Sequence, residues 1–214
     1  MSNTASDSVP QSTQRRWWGV LLLTGVALVV LLSDQLIKNW VVANLPEGET
    51  VPVLGEFLTW HFVRNPGAAF SMASGQTWIF TILATVVVGA IIWFSGRIRS
   101  VWWSLFLGLL LGGTLGNLTD RLTRAPGFPE GHVIDYIYTP WMMPAIYNLA
   151  DIAIVSSMVI FVLLTFLGIQ MDGTRAKKSD APEGESAQPV DSTEVAPHTT
   201  NPEGTDGTPS APRP

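Results

Sequence analysis

The residues best suited to do chemistry in this chain are two aspartates, Asp135 in the segment HVIDY and Asp151 in the segment YNLAD. Each lies beside the end of an apolar stretch that is long enough to cross a bilayer. A carboxylate near hydrocarbon costs roughly 2.5 to 3.5 kcal/mol at mid-membrane on insertion scales, so such residues usually have a function. Two carboxylates that converge predict acid–base chemistry at a membrane surface.

Other polar side chains share helix faces. Asp34 and Lys38 are spaced i, i+4 at the end of the first apolar stretch, so they lie on one face. An ordinary interfacial ion pair explains this spacing, and so does a pair that braces a site. Asn117, Asp120 and Arg121 are spaced i, i+3 and i+4, so they can project together from the outer end of the third stretch.

Glycines mark two further places. Gly108, Gly112 and Gly116 recur every four residues and predict a small-residue face for close helix packing. In the block RNPGAAFS, Asn65 leads into Gly67 and small residues, which permits an unusual backbone. A plain turn from loop to membrane explains that block equally well.

The last polar block precedes the fourth apolar stretch. Pro144 is tolerated in the first turn of a helix and predicts a helix that begins near residue 145. Asn148 and Asp151 then share a face, and Asp151 lies too deep in the helix to cap it. We therefore favour a functional role for this pair.

Four stretches of about membrane length must position these residues. They predict an all-α membrane protein, a four-transmembrane-helix bundle with a small extracytoplasmic β-rich loop region. The predicted domain covers 15–171, with helices at 17–38, 77–95, 100–119 and 145–170 and external loops at 40–76 and 120–144. The segment VPVLGEFLTWHFVRN predicts two or three short strands, and HVIDYIY predicts one extended segment.

The two ends of the chain have a different composition. Residues 172–214 are Pro, Ser, Thr, Glu and Gly with almost no large apolar side chain, which predicts disorder, as we also expect for 1–14. The net charge of −5 belongs mostly to this tail and says little about partners. The chain has no Cys and three His, which excludes disulfides and thiol nucleophiles and disfavours a metal site. We expect no metal and no organic cofactor.

Basic residues predict the orientation in the membrane. With four spans, one side collects most of them, namely Arg15, Arg16, Arg97, Arg99, Arg175, Lys177 and Lys178. Both termini are therefore predicted to be cytoplasmic and both long loops external. A cleaved signal peptide ending near 41–43 is the alternative for the first stretch, but Asp34 and Lys38 interrupt that template.

Five blocks, in the order DQLIK, RNPGAAFS, GGTLGNLTDR, VIDY and YNLAD, resemble the lipoprotein signal peptidase (signal peptidase II) family over roughly 33–154. The resemblance implies a membrane-embedded aspartic endopeptidase. Such an enzyme removes signal peptides from prolipoproteins, cutting before a diacylglyceryl-modified cysteine at the external membrane face. The implied location is the bacterial cell (inner) membrane. Its partners would be those substrates and membrane lipids, with no nucleic acid, and we expect a monomer.

The same resemblance implies roles for individual residues. Spacing alone leaves Asp120 an equal candidate, and the resemblance makes Asp135 and Asp151 the catalytic pair. Five positions would shape the site or hold substrate: Asn65, Gly67, Asn117, Arg121 and Asn148. Three would support it: Asp34, Lys38 and Asp120. The chain departs from the family pattern at 123–131, which looks like an insertion, and at Tyr136 and Tyr147, where Phe is more usual.

Two other classes of function fit the residues before any resemblance. A small transporter or channel could use Asp34, Asp120, Asp135 and Asp151 as ion sites. Their clustering at one membrane edge instead of the midplane counts against an ion pathway. A non-catalytic scaffold that binds lipid or protein is the third class.

Overall fold

A computed structural model describes residues 11–67 and 76–175, without the side chains of 11–16. In these residues four helices are long and apolar enough to cross a membrane. They are α1 (Gln11–Asn44), α2 (Thr77–Ser95), α3 (Val101–Thr123) and α4 (Leu149–Phe166). The prediction of four spanning helices with a small sheet is thereby confirmed.

The helix bounds differ from the predicted ones at the polar ends. Helix α1 begins at Gln11 and ends at Asn44, beyond the predicted 17–38, and α3 continues past 119 to Thr123. A helix needs apolar residues only inside the bilayer, so hydropathy underestimates its polar ends. Apart from residues 11–14 and 172–175, the segments predicted to be disordered lie outside the described residues.

Helix α3 lies at the centre of the bundle and packs against the other three helices. In the most apolar 18-residue segment of α3, 56% of the residues are buried, against 17–22% in the corresponding segments of the other three helices. Its glycines permit this contact: a methyl group on Gly112 would lie 2.7 Å from the Ala27 carbonyl oxygen of α1, and one on Gly113 would lie 2.5 Å from the Ala150 carbonyl oxygen of α4. The predicted close packing along this glycine face is present.

The two loops join in one antiparallel sheet. Its order is β1 (Thr50–Leu54), β2 (Leu58–Asn65), β3 (Val133–Tyr138) and β4 (Ile146–Tyr147). Strands β1 and β2 come from the first loop, as predicted, and β3 is the predicted HVIDYIY segment. In the register of β2 and β3, Val63 is opposite Asp135 and Asn65 is opposite Val133. The sheet thus brings the polar end of the first loop beside Asp135.

The predicted insertion at 123–131 closes on itself and on α2. The Gly131 amide donates to the Arg121 carbonyl at 3.1 Å, and the His132 amide to the Ala125 carbonyl at 3.0 Å. The Thr81 hydroxyl of α2 donates to the Pro129 carbonyl at 2.7 Å. Hydrogen bonds therefore hold this loop where it leaves α3 and where it enters β3.

Candidate active site

The two aspartates are placed by different elements and share one neighbour. Asp135 lies in the middle of β3 and is 2% exposed, whereas Asp151 lies in the first turn of α4. The Asn148 side chain donates from Nδ2 to Asp135 Oδ1 at 2.6 Å. The Asn148 backbone amide donates to Asp151 Oδ2 at 3.1 Å. One residue thus holds both carboxylates in a common site.

The start of α4 corrects the sequence analysis. The helix begins at Leu149 and not near 145, because Ile146 pairs with Tyr138 and is held extended in β4. Asn148 is consequently the N-cap residue, and its side chain and that of Asp151 form a reciprocal capping box. The argument that Asp151 lies too deep for a capping role was therefore wrong.

Asn117 connects Asp151 with the charged residues of α1. Its Nδ2 donates to Asp151 Oδ1 at 2.7 Å. Its Oδ1 accepts from Lys38 Nζ at 2.9 Å and from Asn148 Nδ2 at 3.1 Å. The amide oxygen of Asn117 therefore faces two donors, and its nitrogen faces an acceptor.

Asn65 holds the other oxygen of Asp135. Its Nδ2 donates to Asp135 Oδ2 at 2.8 Å, and its Oδ1 accepts from the Gly67 amide at 2.8 Å. Gly67 has φ +95°, and a methyl group there would lie 2.7 Å from the Phe80 ring. Only glycine fits this turn without strain. Residues 68–71 of the predicted RNPGAAFS block lie outside the described residues.

A buried charge cluster lies behind the two aspartates. Asp34, Lys38 and Asp120 are each 0% exposed. Lys38 Nζ lies 2.8 Å from Asp34 Oδ2 and 2.8 Å from Asp120 Oδ2. Asp34 Oδ1 accepts from the Ala150 amide at 3.1 Å, and Asp120 Oδ2 accepts from the Ile134 amide at 3.2 Å. The cluster is therefore hydrogen-bonded to the backbone of the residues that precede Asp151 and Asp135.

Comparison with known proteins decides the family. A model described as signal peptidase (SPase) II matches residues 26–167. A lipoprotein signal peptidase of Leifsonia xyli subsp. xyli (strain CTCB07) is 52% identical over 180 residues, 84% of this chain and 83% of the relative. One from Rhodococcus jostii (strain RHA1) is 46% identical over 78% of this chain and 81% of the relative. The chain belongs to the signal peptidase II family.

Two solved structures resemble this signal peptidase. Both are described as bacterial membrane enzyme structures by the in meso method, at 2.3 and 1.9 Å resolution. The first is 27% identical and covers 66% of this chain and 85% of its own, with a TM-score of 0.58. The second is 26% identical and covers 65% and 89%, also with a TM-score of 0.58. Family membership makes the protein a multi-pass membrane peptidase of the aspartic type that processes prolipoproteins.

The environment of this signal peptidase's Asp135 favours its protonated form. Burial raises the pKa of Asp135 to about 7, and the neighbouring charge of Asp151 acts in the same direction. Hydrogen bonds from Asn65 and Asn148 oppose the shift without cancelling it. Burial likewise raises the pKa of Tyr136, whose hydroxyl accepts from the Leu149 amide. At neutral pH the site can therefore hold one proton between two carboxylates.

Arg121 faces the two aspartates without bonding to either one. Its guanidinium donates to the Asn117 carbonyl at 3.2 Å and lies 5.8 Å from the centroid of the Phe80 ring. In the part of the chain that the structure describes, its Nε is buried and has no hydrogen-bond partner.

The sequence analysis missed two residues, Arg124 and Gln35, that contact the charge cluster. Arg124 Nε lies 2.5 Å from Asp120 Oδ1, and Gln35 Nε2 donates to the same oxygen at 3.2 Å. The i, i+4 spacing of Asp120 and Arg124 was a usable signal. Gln35 follows Asp34 directly, and no spacing argument connects it with α3. In the described residues no group of three His, Cys, Asp or Glu could hold a metal ion.

Proposed function

We propose that Asp135 and Asp151 form the catalytic dyad with which this enzyme cuts prolipoproteins before a diacylglyceryl-modified cysteine. The observation that carries the proposal is the double contact of Asn148, whose side chain holds Asp135 while its backbone holds Asp151. Since Asp135 is buried and lies near the charge of Asp151, its pKa is raised and it does not ionise readily.

The dyad divides acid and base roles. Asp135, with its raised pKa, holds the proton and donates a hydrogen bond to the scissile carbonyl. Asp151 takes a proton from a water molecule, whose oxygen then bonds to the carbonyl carbon. When the tetrahedral intermediate collapses, the C–N bond breaks and the leaving amine takes a proton from Asp151. No covalent enzyme intermediate forms.

Neutral donors and one cation shape the substrate site. Asn65, Asn117 and Asn148 orient the carboxylates without adding charge. Gly67 lets the chain turn closely past Phe80. Arg121, a cation near both aspartates, meets a substrate carbonyl or a lipid phosphate at headgroup depth.

The site belongs at the external membrane face, and the sheet lies on that side. The distribution of basic residues supports this orientation, since Arg97 and Arg99 precede α3 whereas Asn117 and Arg121 are near its other end. That the enzyme is monomeric stays a prediction. The predicted disorder of 1–10 and 176–214 stays a prediction.

Conservative substitutions of the dyad test the proposal. We expect Asp135→Asn and Asp151→Asn each to lower cleavage of a synthetic diacylglyceryl-modified prolipoprotein at least a thousandfold, because each removes a proton-transfer group. Cleavage by the full chain in detergent micelles is measured by mass spectrometry, and folding by thermal unfolding. Glu56→Gln, on an exposed turn of the sheet, is the control and should cut at the wild-type rate. Folded Asn variants that cut at wild-type rates would contradict the proposed dyad.

A further inference from the structure

The ammonium of Lys38 has a complete set of buried partners. It lies 2.8 Å from Asp34 Oδ2, 2.8 Å from Asp120 Oδ2 and 2.9 Å from Asn117 Oδ1. An ammonium has three N–H donors and no acceptor. Its three hydrogens are thus all directed by these contacts, and Lys38 itself touches neither catalytic aspartate.

This arrangement dictates how the Asn117 amide is oriented. The oxygen must face Lys38, because the reversed amide would place an NH₂ group against a group that can only donate. The Nδ2 group must then face Asp151 Oδ1, which it meets at 2.7 Å. Reversal would also place a carbonyl oxygen against a carboxylate oxygen, and an NH₂ group against Asn148 Nδ2, so three contacts would become repulsive.

We infer that Lys38 is a positioning residue of the dyad: through Asn117 it keeps an N–H donor directed at Asp151 and so maintains Asp151 as the ionised, proton-accepting member. The inference rests on the proposed function, since it names a residue that keeps one of those same two aspartates ionised. The pKa of about 7 at Asp135 agrees with it, because the proton then belongs to the partner carboxyl.

The acids around Lys38 fix its ammonium relative to both catalytic residues. Asp34 also accepts from the amide of Ala150, the residue before Asp151. Asp120 also accepts from the amide of Ile134, the residue before Asp135. A shift of the ammonium would therefore strain the backbone on both sides of the site.

Other charged and titratable groups face the dyad, and they do not replace this link. They are Asp34 on α1, Asp120 and Arg121 on α3, and Tyr136 on β3. Arg121 supplies positive charge, but it donates to the backbone carbonyl of Asn117. It therefore does not determine how the side-chain amide of Asn117 is oriented. In the described residues Lys38 is the one cation that contacts the Asn117 side chain, whose oxygen also accepts from the neutral Asn148 amide.

The test is the acid limb of the pH profile of kcat/KM, which reports ionisation of the base in the free enzyme. The double variant Asp34→Asn/Lys38→Met removes the ammonium and one opposing charge, so the net charge of the cluster is kept. We expect its acid limb to move up by about one pH unit, because Asp151 loses a directed donor while the net charge nearby is unchanged. The matched control is Glu47→Gln/Arg64→Met, which neutralises an exposed ion pair whose atoms lie 3.0 Å apart and should leave the limb in place.

A purely structural role for Lys38 would lower activity equally at every pH and leave the acid limb unmoved. An unmoved limb in the folded double variant overturns the inference. If the double variant does not fold, Asn117→Asp serves instead, since it preserves shape and still accepts from Lys38. It places a carboxylate oxygen against Asp151, so we expect its acid limb to rise as well, and a wild-type limb overturns the inference.

The dyad itself is tested by Asp151→Asn. An inactive Asp151→Asn enzyme combined with unmoved limbs leaves the dyad intact and removes only the role of Lys38. A fully active Asp151→Asn enzyme overturns the proposed function and this inference with it.

Discussion

At the scale of single residues, the site surrounds two carboxylates with neutral donors. Each carboxylate oxygen receives one N–H group: from Asn65 and Asn148 to Asp135, and from Asn117 and the backbone of Asn148 to Asp151. Amides stabilise a carboxylate less than a cation does, so they position the pair and still permit one proton to remain.

The cations of the site are kept one step away from the aspartates. Lys38 bonds to Asn117, and Arg121 bonds to the backbone of the same residue. A direct ion pair with Asp135 would favour its charged form and remove the acid from the dyad. The proposed dyad therefore requires that the cations be separated from it, and one amide separates them here.

The protonation of Asp135 predicts the alkaline limb of activity. Burial raises its pKa to about 7, and the proposed mechanism needs its protonated form. As the pH rises through about 7 the proton is lost, so kcat/KM should fall about tenfold per pH unit well above that value. The measurement is cleavage of the lipidated peptide from pH 5 to 9, with thermal unfolding followed over the same range. A flat profile between pH 6 and 9 in folded enzyme would contradict this assignment.

At the scale of elements, helices were predictable from sequence and strand pairing was not. Helix α2 covers the predicted residues 77–95 because apolar length is a local property that the bilayer thickness selects. The pairing of Val63 with Asp135 joins segments far apart in sequence, and no local pattern specifies that register. The prediction that Asp135 and Asp151 form a pair therefore depends on the resemblance to a family and not on their spacing.

The N-terminus of α4 shows a local signal that was read wrongly. Asn148 followed three residues later by Asp151 is a capping pattern. Pro144 offered a competing start, and the sequence alone did not reveal that Ile146 pairs with β3. The pairing of β4 with β3 thus determines where α4 begins. As a result, Asn148 and Asp151 form the helix cap instead of lying on one face inside the helix.

The contact of α3 with α4 predicts a severe effect of one methyl group. In Gly113→Ala the new Cβ would lie 2.5 Å from the Ala150 carbonyl oxygen and 2.8 Å from Ile154 Cγ1. Helix α4 must move, and overpacking of this kind typically costs about 1 to 3 kcal/mol. We expect a lower Tm in detergent and at least a tenfold loss of kcat, because Asp151 moves with the helix.

The matched control is Gly89→Ala on α2, where a methyl group meets nothing within 4 Å in the described structure. That variant should keep the wild-type Tm or raise it slightly, since alanine favours a helix more than glycine does. Equal effects of the two substitutions would show that helix propensity, and not the α3–α4 contact, governs the loss.

At the scale of the whole molecule, the site lies at one end of α3, and Arg97 and Arg99 lie at the other. Arg97 and Arg99 precede Val101, and Asn117 follows it by about 24 Å at 1.5 Å per residue. The amides of Arg99 and Ser100 donate to the Met171 carbonyl, so the end of α4 lies at the basic end too. This separation agrees with the proposed orientation, in which the site is external and the loop with Arg97 and Arg99 is cytoplasmic.

The orientation itself predicts which ends of the molecule are accessible from outside the cell. The chain has no cysteine, so single cysteines can be introduced without a background. Glu56→Cys lies on an exposed turn of the sheet, and Gln170→Cys lies on the exposed segment after α4. Because positive charge retains loops in the cytoplasm, we expect a membrane-impermeant maleimide to label Glu56→Cys in intact cells. Gln170→Cys should react only after the membrane is permeabilised, and labelling of Gln170→Cys alone in intact cells would reverse the proposed orientation and place the dyad on the cytoplasmic side.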